Sequence, residues 1–289
     1  MTVLEARNIS YKYSVGTPFE MTALNNINLK VEKGEMLAII GHTGSGKSTF
    51  IQHFNALLKP SEGQILLYGK DINESKETAH AARFKVGLCF QYPEYQLFED
   101  TVYKDIAFGP GNMGLEKTEI DMRVRRAASF VGLNENMLQK SPFDLSGGEK
   151  RRAAIAGVMA MEPEVLIMDE PAAGLDPKGR RVILDLIKNY RRQTGNTVII
   201  VSHSMEDVAE IAEKIAVLNH GELAMYGTVD RVFERSSELC DMGLNIPQIT
   251  RIFTELNKCG FGLNKAVYTV EQAVRELTEY LHKGGKSND

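Results

Sequence analysis

The sequence has little of what would place it in an oxidising or lipid environment. Tryptophan is absent, and the three cysteines, Cys89, Cys240 and Cys259, lie far apart with no C-x-x-C pair. That spacing offers neither a disulfide framework nor a zinc site, and it predicts a reduced compartment. No apolar run approaches the roughly 18–20 residues that cross a bilayer. The first eight residues lack the long apolar core of a secretory signal. The expectation is a cytosolic chain, for which any membrane role must come through partners. A basic excess is also missing: 34 Lys and Arg stand against 38 Asp and Glu. This argues against nucleic acid as a partner. At 289 residues the chain is long enough for one large domain plus an appendage.

What is present centres on Gly41-His42-Thr43-Gly44-Ser45-Gly46-Lys47-Ser48-Thr49, which has the spacing G-x-x-x-x-G-K-S. It follows the apolar run Met36–Ile40 and precedes an expected helix over 49–58. Strand, glycine loop and helix together are the context this phosphate-binding motif requires. Glycines let the backbone N–H groups converge on an anion, the helix N-terminus adds partial positive charge, and Lys47 adds a full one. Ser48 is placed to offer its hydroxyl to a Mg²⁺ that bridges the β- and γ-phosphates. The motif predicts a bound nucleoside triphosphate.

Alternation predicts strands over 3–6, 9–13 and 23–31 before the loop. Tyr13 ends the second, where it either stacks on a nucleotide base or is an ordinary sheet tyrosine. A short strand is expected over 64–68, polar residues run to Lys85, and a buried strand follows over 86–90. Within it Cys89 reads as a small core residue. Gln91 stands at its end, within reach of Mg²⁺ or the attacking water. The mixed aromatic and acidic stretch 92–100 is either a docking surface through Glu94, Glu99 and Asp100 or a solvated loop. Composition alone leaves both open.

Helices are expected over 102–108 and 116–131, with linkers at 109–112 and 132–134. Ser146-x-x-Glu149 is a capping box that opens the next helix. Gly147 and Gly148 beside it make an anion site at that helix start. The strand 165–168 ends in Asp169-Glu170, whose side chains face opposite ways. Asp169 can therefore serve Mg²⁺ while Glu170 orients a water. Asp176-Pro177 opens a helix carrying Ile183, Leu186, Ile187 and Tyr190 on one face, ended by Gly195. The next buried strand ends in Ser202-His203, where α/β sheets place ligands, so His203 is expected at the γ-phosphate. The sheet closes with 214–218 and a hairpin into 223–226.

From Val229 no strand is evident. One helix carries Ile249, Ile252, Phe253 and Leu256. A second, opened by the capping box Thr269-x-x-Gln272, carries Val270, Val274, Leu277 and Leu281. Two amphipathic helices need a second surface to cover them, and the tail 283–289 is expected to be disordered.

In this order, the glycine loop, Gln91, Leu145 to Glu149, Val165 to Glu170, Gly174-Leu175-Asp176 and His203 resemble an ATP-binding cassette (ABC) ATPase over residues 3–228. Two departures are mild: Glu149 stands where glutamine is commoner, and Ala172 replaces a frequent threonine. The implied fold is α/β, a RecA-like P-loop NTPase core over 1–228. It carries an N-terminal antiparallel β subdomain and an inserted helical subdomain at about 92–162, with a C-terminal helical domain and tail over 229–289. A narrower resemblance is to the ATPase subunits of energy-coupling factor (ECF) transporters, the cobalt- and vitamin-importing branch. It rests on Gln91 to Glu99, on Val201 to Val208, and on the short helical tail. The segment Gly16 to Glu20 with Gly41 to Gly44 looks most like the second of the two paired ATPases.

The family implies a head-to-tail dimer, homomeric or heteromeric. Each ATP lies between one P-loop and the partner's signature, residues Ser146, Gly147, Gly148 and Glu149, with Asp176 at the same seam. It implies Glu170 as general base, His203 and Gln91 positioning the water, and Ser48, Gln91 and Asp169 toward Mg²⁺. The implied partners are a second ABC ATPase, a transmembrane coupling subunit whose basic helices meet Glu94, Glu99 and Asp100, and a substrate-binding membrane component. Competing readings are the ATPase of another importer class, a soluble cassette protein acting on ribosomes or DNA, and a nucleotide-gated subunit that barely hydrolyses. The second usually brings paired cassettes or long coiled-coil insertions, neither present here, and the intact Asp169-Glu170 pair argues against the third.

Overall fold

The computed structural model describes residues 1–264 and 266–282, so the expectation for 283–289 lies outside the described residues. The N-terminal part contains β1 (Thr2–Tyr13), β2 (Met21–Glu32), β3 (Met36–Ile40), α1 (Lys47–Phe54), β4 (Glu62–Leu67), β5 (Lys70–Asp71), α2 (Lys76–Lys85) and β6 (Val86–Cys89). A helical segment follows: α3 (Val102–Asn112), α4 (Lys117–Phe130), α5 (Glu135–Leu138) and α6 (Gly147–Met159), with single 3₁₀ turns at Pro93–Gln96 and Pro142–Asp144. The chain then returns to the sheet through β7 (Val165–Asp169), α7 (Pro177–Thr194), β8 (Thr197–Val201), α8 (Met205–Ile211), β9 (Lys214–Asn219) and β10 (Glu222–Thr228). Four helices end it: α9 (Val229–Phe233), α10 (Ser236–Asp241), α11 (Gln248–Lys258) and α12 (Val270–His282).

β3, β7 and β8 are buried along their whole length, the pattern of strands covered on both faces. They lie inside a six-stranded sheet of order β10-β9-β3-β8-β7-β6, parallel except for β10 at the edge. A second, antiparallel sheet of order β2-β1-β4-β5 packs on one face through a shared core that includes Phe50, Ile51 and Phe54 of α1. The opposite face is covered by α3, α4, α6, α7 and α8. The carboxyl ends of β3, β6, β7 and β8 therefore share one rim, where ligands bind in such sheets.

Several expectations shift. The two strands expected over 3–6 and 9–13 are one strand, β1, interrupted by a register shift beside Asn8, whose φ is 50°. Such an irregularity bends a strand without ending it. The polar run before Lys85 contains α2, opened by a reciprocal Ser75–Thr78 capping box and burying only Ala82. α3 continues through 109–112, expected as a linker, with Pro110 inside it. A Cβ on Gly109 would lie 2.7 Å from Met161 Cγ, so this glycine serves close packing of α3 on the end of α6 and not a turn.

The appendage also divides differently. Val232, Phe233, Leu239 and Leu244 belong to the main core, so the chain stays attached to the ATPase fold well past Val229. Only α11 and α12 share a small core of their own, built on Phe253, Leu263, Val267 and Ala273. Leu277 packs against it, whereas Ile252, Val270, Val274 and Leu281 are exposed.

Candidate functional site

The loop after β3 folds as the motif requires. Gly46 precedes α1 with a φ of 98°, a left-handed conformation open to glycine, and a Cβ there would sit 2.7 Å from the Ala23 carbonyl. A Cβ on Gly41 would meet the Leu218 carbonyl at 2.3 Å. The helix consequently starts at Lys47, two residues earlier than expected, and the loop amides gather at its N-terminus. Lys47 Nζ donates to the carbonyls of Gly41 (2.8 Å) and His42 (3.0 Å), which pins the ammonium over the loop. Burial pushes the Lys47 ammonium down from its ordinary value, opposed by the charges of Glu170 and Asp169.

One cavity of about 800 Å³ gathers most of the predicted groups. It is lined by Gly41, His42, Thr43, Gly44, Gly46, Lys47, Ser48 and Thr49 of the loop, and by Gln91, Asp169, Glu170 and His203 from the ends of β6, β7 and β8. Tyr13 lines it too, with its hydroxyl 3.1 Å from Thr49 Oγ1. The structure thus brings Tyr13 to the pocket that a base-stacking role requires. Ser45 differs: its side chain is fully buried away from the cavity, and only its backbone takes part in the loop, accepting from Gly221 N–H. His42 packs its ring against His220 of the β9–β10 hairpin, 4.7 Å between centroids.

At the tip of β7 the two carboxylates line one cavity and take different partners. Asp169 is buried; burial pushes its carboxyl up, with a Ser48 hydrogen bond acting the other way. Ser48, Asp169 and Gln91 form an oxygen donor set of the hard kind that suits Mg²⁺. The described residues contain no group of three or more His, Cys, Asp or Glu able to hold a metal by themselves. Glu170 leaves the strand in a left-handed conformation, φ 49°, strain of the kind found at functional sites. Its carboxylate accepts from His203 Nδ1 at 2.8 Å.

The signature lies elsewhere. Ser146 caps α6, its backbone N–H and hydroxyl both donating to Glu149 Oε2, at 2.8 and 2.6 Å. These hydrogen bonds hold the Glu149 carboxyl below its ordinary value. Ser146, Gly147 and Gly148 are exposed and do not line the glycine-loop cavity. Asp176 is also absent from it; it caps α7 by accepting from Gly179 N–H at 2.6 Å and shares a separate, smaller cavity with Gly148. The P-loop cavity and the exposed serine-glycine helix start thus stand at different places on the chain.

Of the acidic residues expected at a docking surface, Glu94 is committed inside the molecule. Arg151, 3 % exposed, binds it with both Nε (2.9 Å) and Nη2 (2.7 Å), and its Nη1 donates to the Ala173 carbonyl at 2.7 Å. Burial acts to raise the Glu94 carboxyl, but the Arg151 bonds and charge prevail and hold it low. Glu99 is half-buried, its backbone N–H donating to Asp105 Oδ1 at 3.2 Å, and Asp100 is exposed and paired with Lys104 on its own segment. Sequence reasoning missed Arg151 as the tie between α6, the segment after Gln91 and the loop after Glu170. It also missed Gly243, Leu244 and Asn245, which line the glycine-loop cavity from the C-terminal part.

A P-loop at the switch point of a parallel sheet, with carboxylate and histidine on the neighbouring strand ends, defines a nucleotide-hydrolysing ATPase of the cassette type. A family model described as ABC transporter matches residues 24–173. The energy-coupling factor transporter ATP-binding protein EcfA2 of Clostridium perfringens is 52% identical, over 96% of this chain and 98% of its own. The protein of the same description from Lactobacillus johnsonii is 45% identical over 99% of each chain. Among solved structures, cbiO1 from Clostridium perfringens, described as part of the ABC transporter complex cbiONQ, is 39% identical with a TM-score of 0.74, covering 88% of this chain and 99% of that one. A dimeric ATP-binding cassette bound to ADP and Pi is 28% identical with a TM-score of 0.70, covering 78% and 98%. The chain belongs to the ABC transporter family, in its branch of energy-coupling factor transporter ATP-binding proteins, and is a transport-coupled ATPase.

Proposed function

We propose that this chain is the ATP-hydrolysing subunit of an ECF-type importer, acting on the cytoplasmic face of the membrane and powering uptake of a vitamin or transition-metal ion through membrane partners. The observation that carries this is the separation of the two half-sites: one cavity holds the P-loop, Asp169, Glu170 and His203, while the Ser146 helix start stands exposed outside it. A second cassette supplies the missing half.

In the reaction, Lys47 and the loop amides hold the β- and γ-phosphates, and the partner's copy of the Ser146 helix start caps the γ-phosphate from across the seam. Ser48, Asp169 and Gln91 would hold Mg²⁺, which when bound would supply positive charge to the phosphates. Glu170 accepts a proton from the in-line water, and His203, bonded to the Glu170 carboxylate, fixes its direction. ATP favours the closed dimer and its cleavage favours the open one, a population shift that drives the coupling subunit. Glu99 and Asp100 form the acidic rim that meets the basic helices of that subunit. Glu94 contributes indirectly, by holding the rim to Arg151.

Among the described residues no helix is long and apolar enough to cross a membrane, so coupling to transport needs another chain. Affinity purification of the tagged chain from native membranes, followed by mass spectrometry, tests this. The expected companions are a second cassette and multi-spanning membrane proteins, and charge reversal at Glu99 and Asp100 together releases the latter. Recovery of the chain without any integral membrane companion contradicts the transport role.

A further inference from the structure

The stretch between α10 and α11 reaches into the glycine-loop cavity, and its backbone explains how. Gly243, φ 75°, and Leu244 close α10 with the paired bonds of a Schellman end: Gly243 N–H to Cys240 O and Leu244 N–H to Leu239 O, both 2.9 Å. Leu239 and Leu244 are buried in the main core, so the flanking Gly243 and Asn245 are turned outward to the cavity they line. Beyond them Pro247 is buried, and Gln248 N–H donates to Glu206 Oε1 at 3.3 Å. Glu206 stands in the first turn of α8, directly after His203, and accepts from Ser204 Oγ. The stretch is therefore tied to the start of α8, three residues after His203, and lines the same cavity as His203 and the glycine loop.

Asn245 makes no side-chain hydrogen bond within the chain among the described residues. Its carboxamide has two N–H donors and no charge. From Ser236 to Thr250 there is no Lys or Arg, so the segment can offer the cavity a hydrogen bond but no counter-ion.

We propose that Asn245 is a further nucleotide-binding residue, its carboxamide donating to the terminal phosphate of ATP held on the glycine loop, so that the C-terminal helices are tied to the nucleotide state. The inference rests on the ATP reading of the cavity. It makes the Gly243–Asn245 stretch a third contact from the same chain, alongside the loop and the β-strand ends, and gives α11 and α12 a lever on the site through Pro247 and Gln248.

The test is calorimetric titration of the full chain with ATP and with ADP, in Mg²⁺, in a Glu170→Gln background that does not turn over. Asn245→Ala is expected to weaken ATP by roughly tenfold or more, the effect of losing a hydrogen bond to a charged group. ADP, which lacks the terminal phosphate, is expected to change by less than about twofold. Asn245→Asp, of the same shape but anionic, weakens ATP further than Ala does, an ordering that loss of packing would not produce. Asn245 is exposed, so melting without nucleotide stays unchanged in both variants. Unaltered ATP affinity, or equal weakening of ATP and ADP, overturns the inference alone. A Glu170→Gln parent that binds no ATP overturns the site assignment and the inference with it.

Discussion

Glu170 and Glu149 are the two residues whose charge bears most directly on ATP. Glu170 is oriented by His203 at 2.8 Å and held out of line with Asp169 by its left-handed backbone. Replacing it with glutamine keeps the shape and removes the proton acceptor. Turnover in Glu170→Gln is expected to fall by about 10²–10⁴-fold with ATP binding retained; steady-state phosphate release beside equilibrium binding measures both. Glu149 poses the opposite case. Its carboxylate, held below its ordinary value by Ser146, stands at the helix start proposed to face the partner's γ-phosphate, where a negative charge would oppose closure. Glutamine preserves the capping box. Glu149→Gln is therefore expected to tighten ATP-dependent association without moving the melting temperature, read by light scattering across a range of ATP concentrations.

At the scale of elements, Arg151 holds three pieces together: α6, which carries the signature, the turn after Gln91, and the loop after Glu170. Arg151→Met leaves the half-buried Glu94 without its partner. The cost is expected below the about 3–5 kcal/mol of breaking a fully buried pair, measurable by urea unfolding. The same pair sets an acid limit. The Glu94 carboxyl lies below its ordinary 4.5 in the native state, so its contribution is fully present above 4.5 and is lost as pH falls through the lowered value. In Arg151→Met burial, the largest influence, is opposed only by a backbone hydrogen bond, so the carboxyl is expected to rise, the dependence to reverse, and protonating Glu94 to stabilise the variant. Unfolding curves between neutral and acid pH in the two proteins distinguish the signs.

These elements also mark where the sequence could be read and where it could not. The P-loop was legible because its chemistry is local: strand, glycines and lysine follow one another. The carboxylate pair was legible as the end of a buried apolar strand, but its arrangement was not, because Glu170 lies beyond β7 with a left-handed backbone and outside the strand's alternation. The Arg151–Glu94 pair was not, since it joins residues 57 positions apart, and a loop glutamate carries no mark of its partner. Gly109 and Pro110 looked like a linker because a glycine used for close packing has the same letter as one used for a turn. The helix stop at Gly243 carried a local signal, Leu239 with Gly243-Leu244, but its position over the cavity depends on the main core.

At the scale of the whole molecule, the proposed mechanism needs a second cassette to complete each site. The P-loop cavity and the signature face different surroundings within one chain, and the four strand ends that complete the cavity do nothing to bring the signature closer. The C-terminal stretch through Leu244 is part of the ATPase core, so removal of residues after 228 is expected to destabilise the cassette itself and not to trim a passive tail. Thermal unfolding of such a truncation against one ending after Leu244 separates the two effects.

ATP hydrolysis per chain, followed at concentrations spanning the monomer–dimer transition and with a second cassette added at the lowest of them, tests the two-half-site account most directly. The account predicts no turnover from monomeric chains and turnover that appears with dimerisation. Constant turnover per chain from a verified monomer contradicts it.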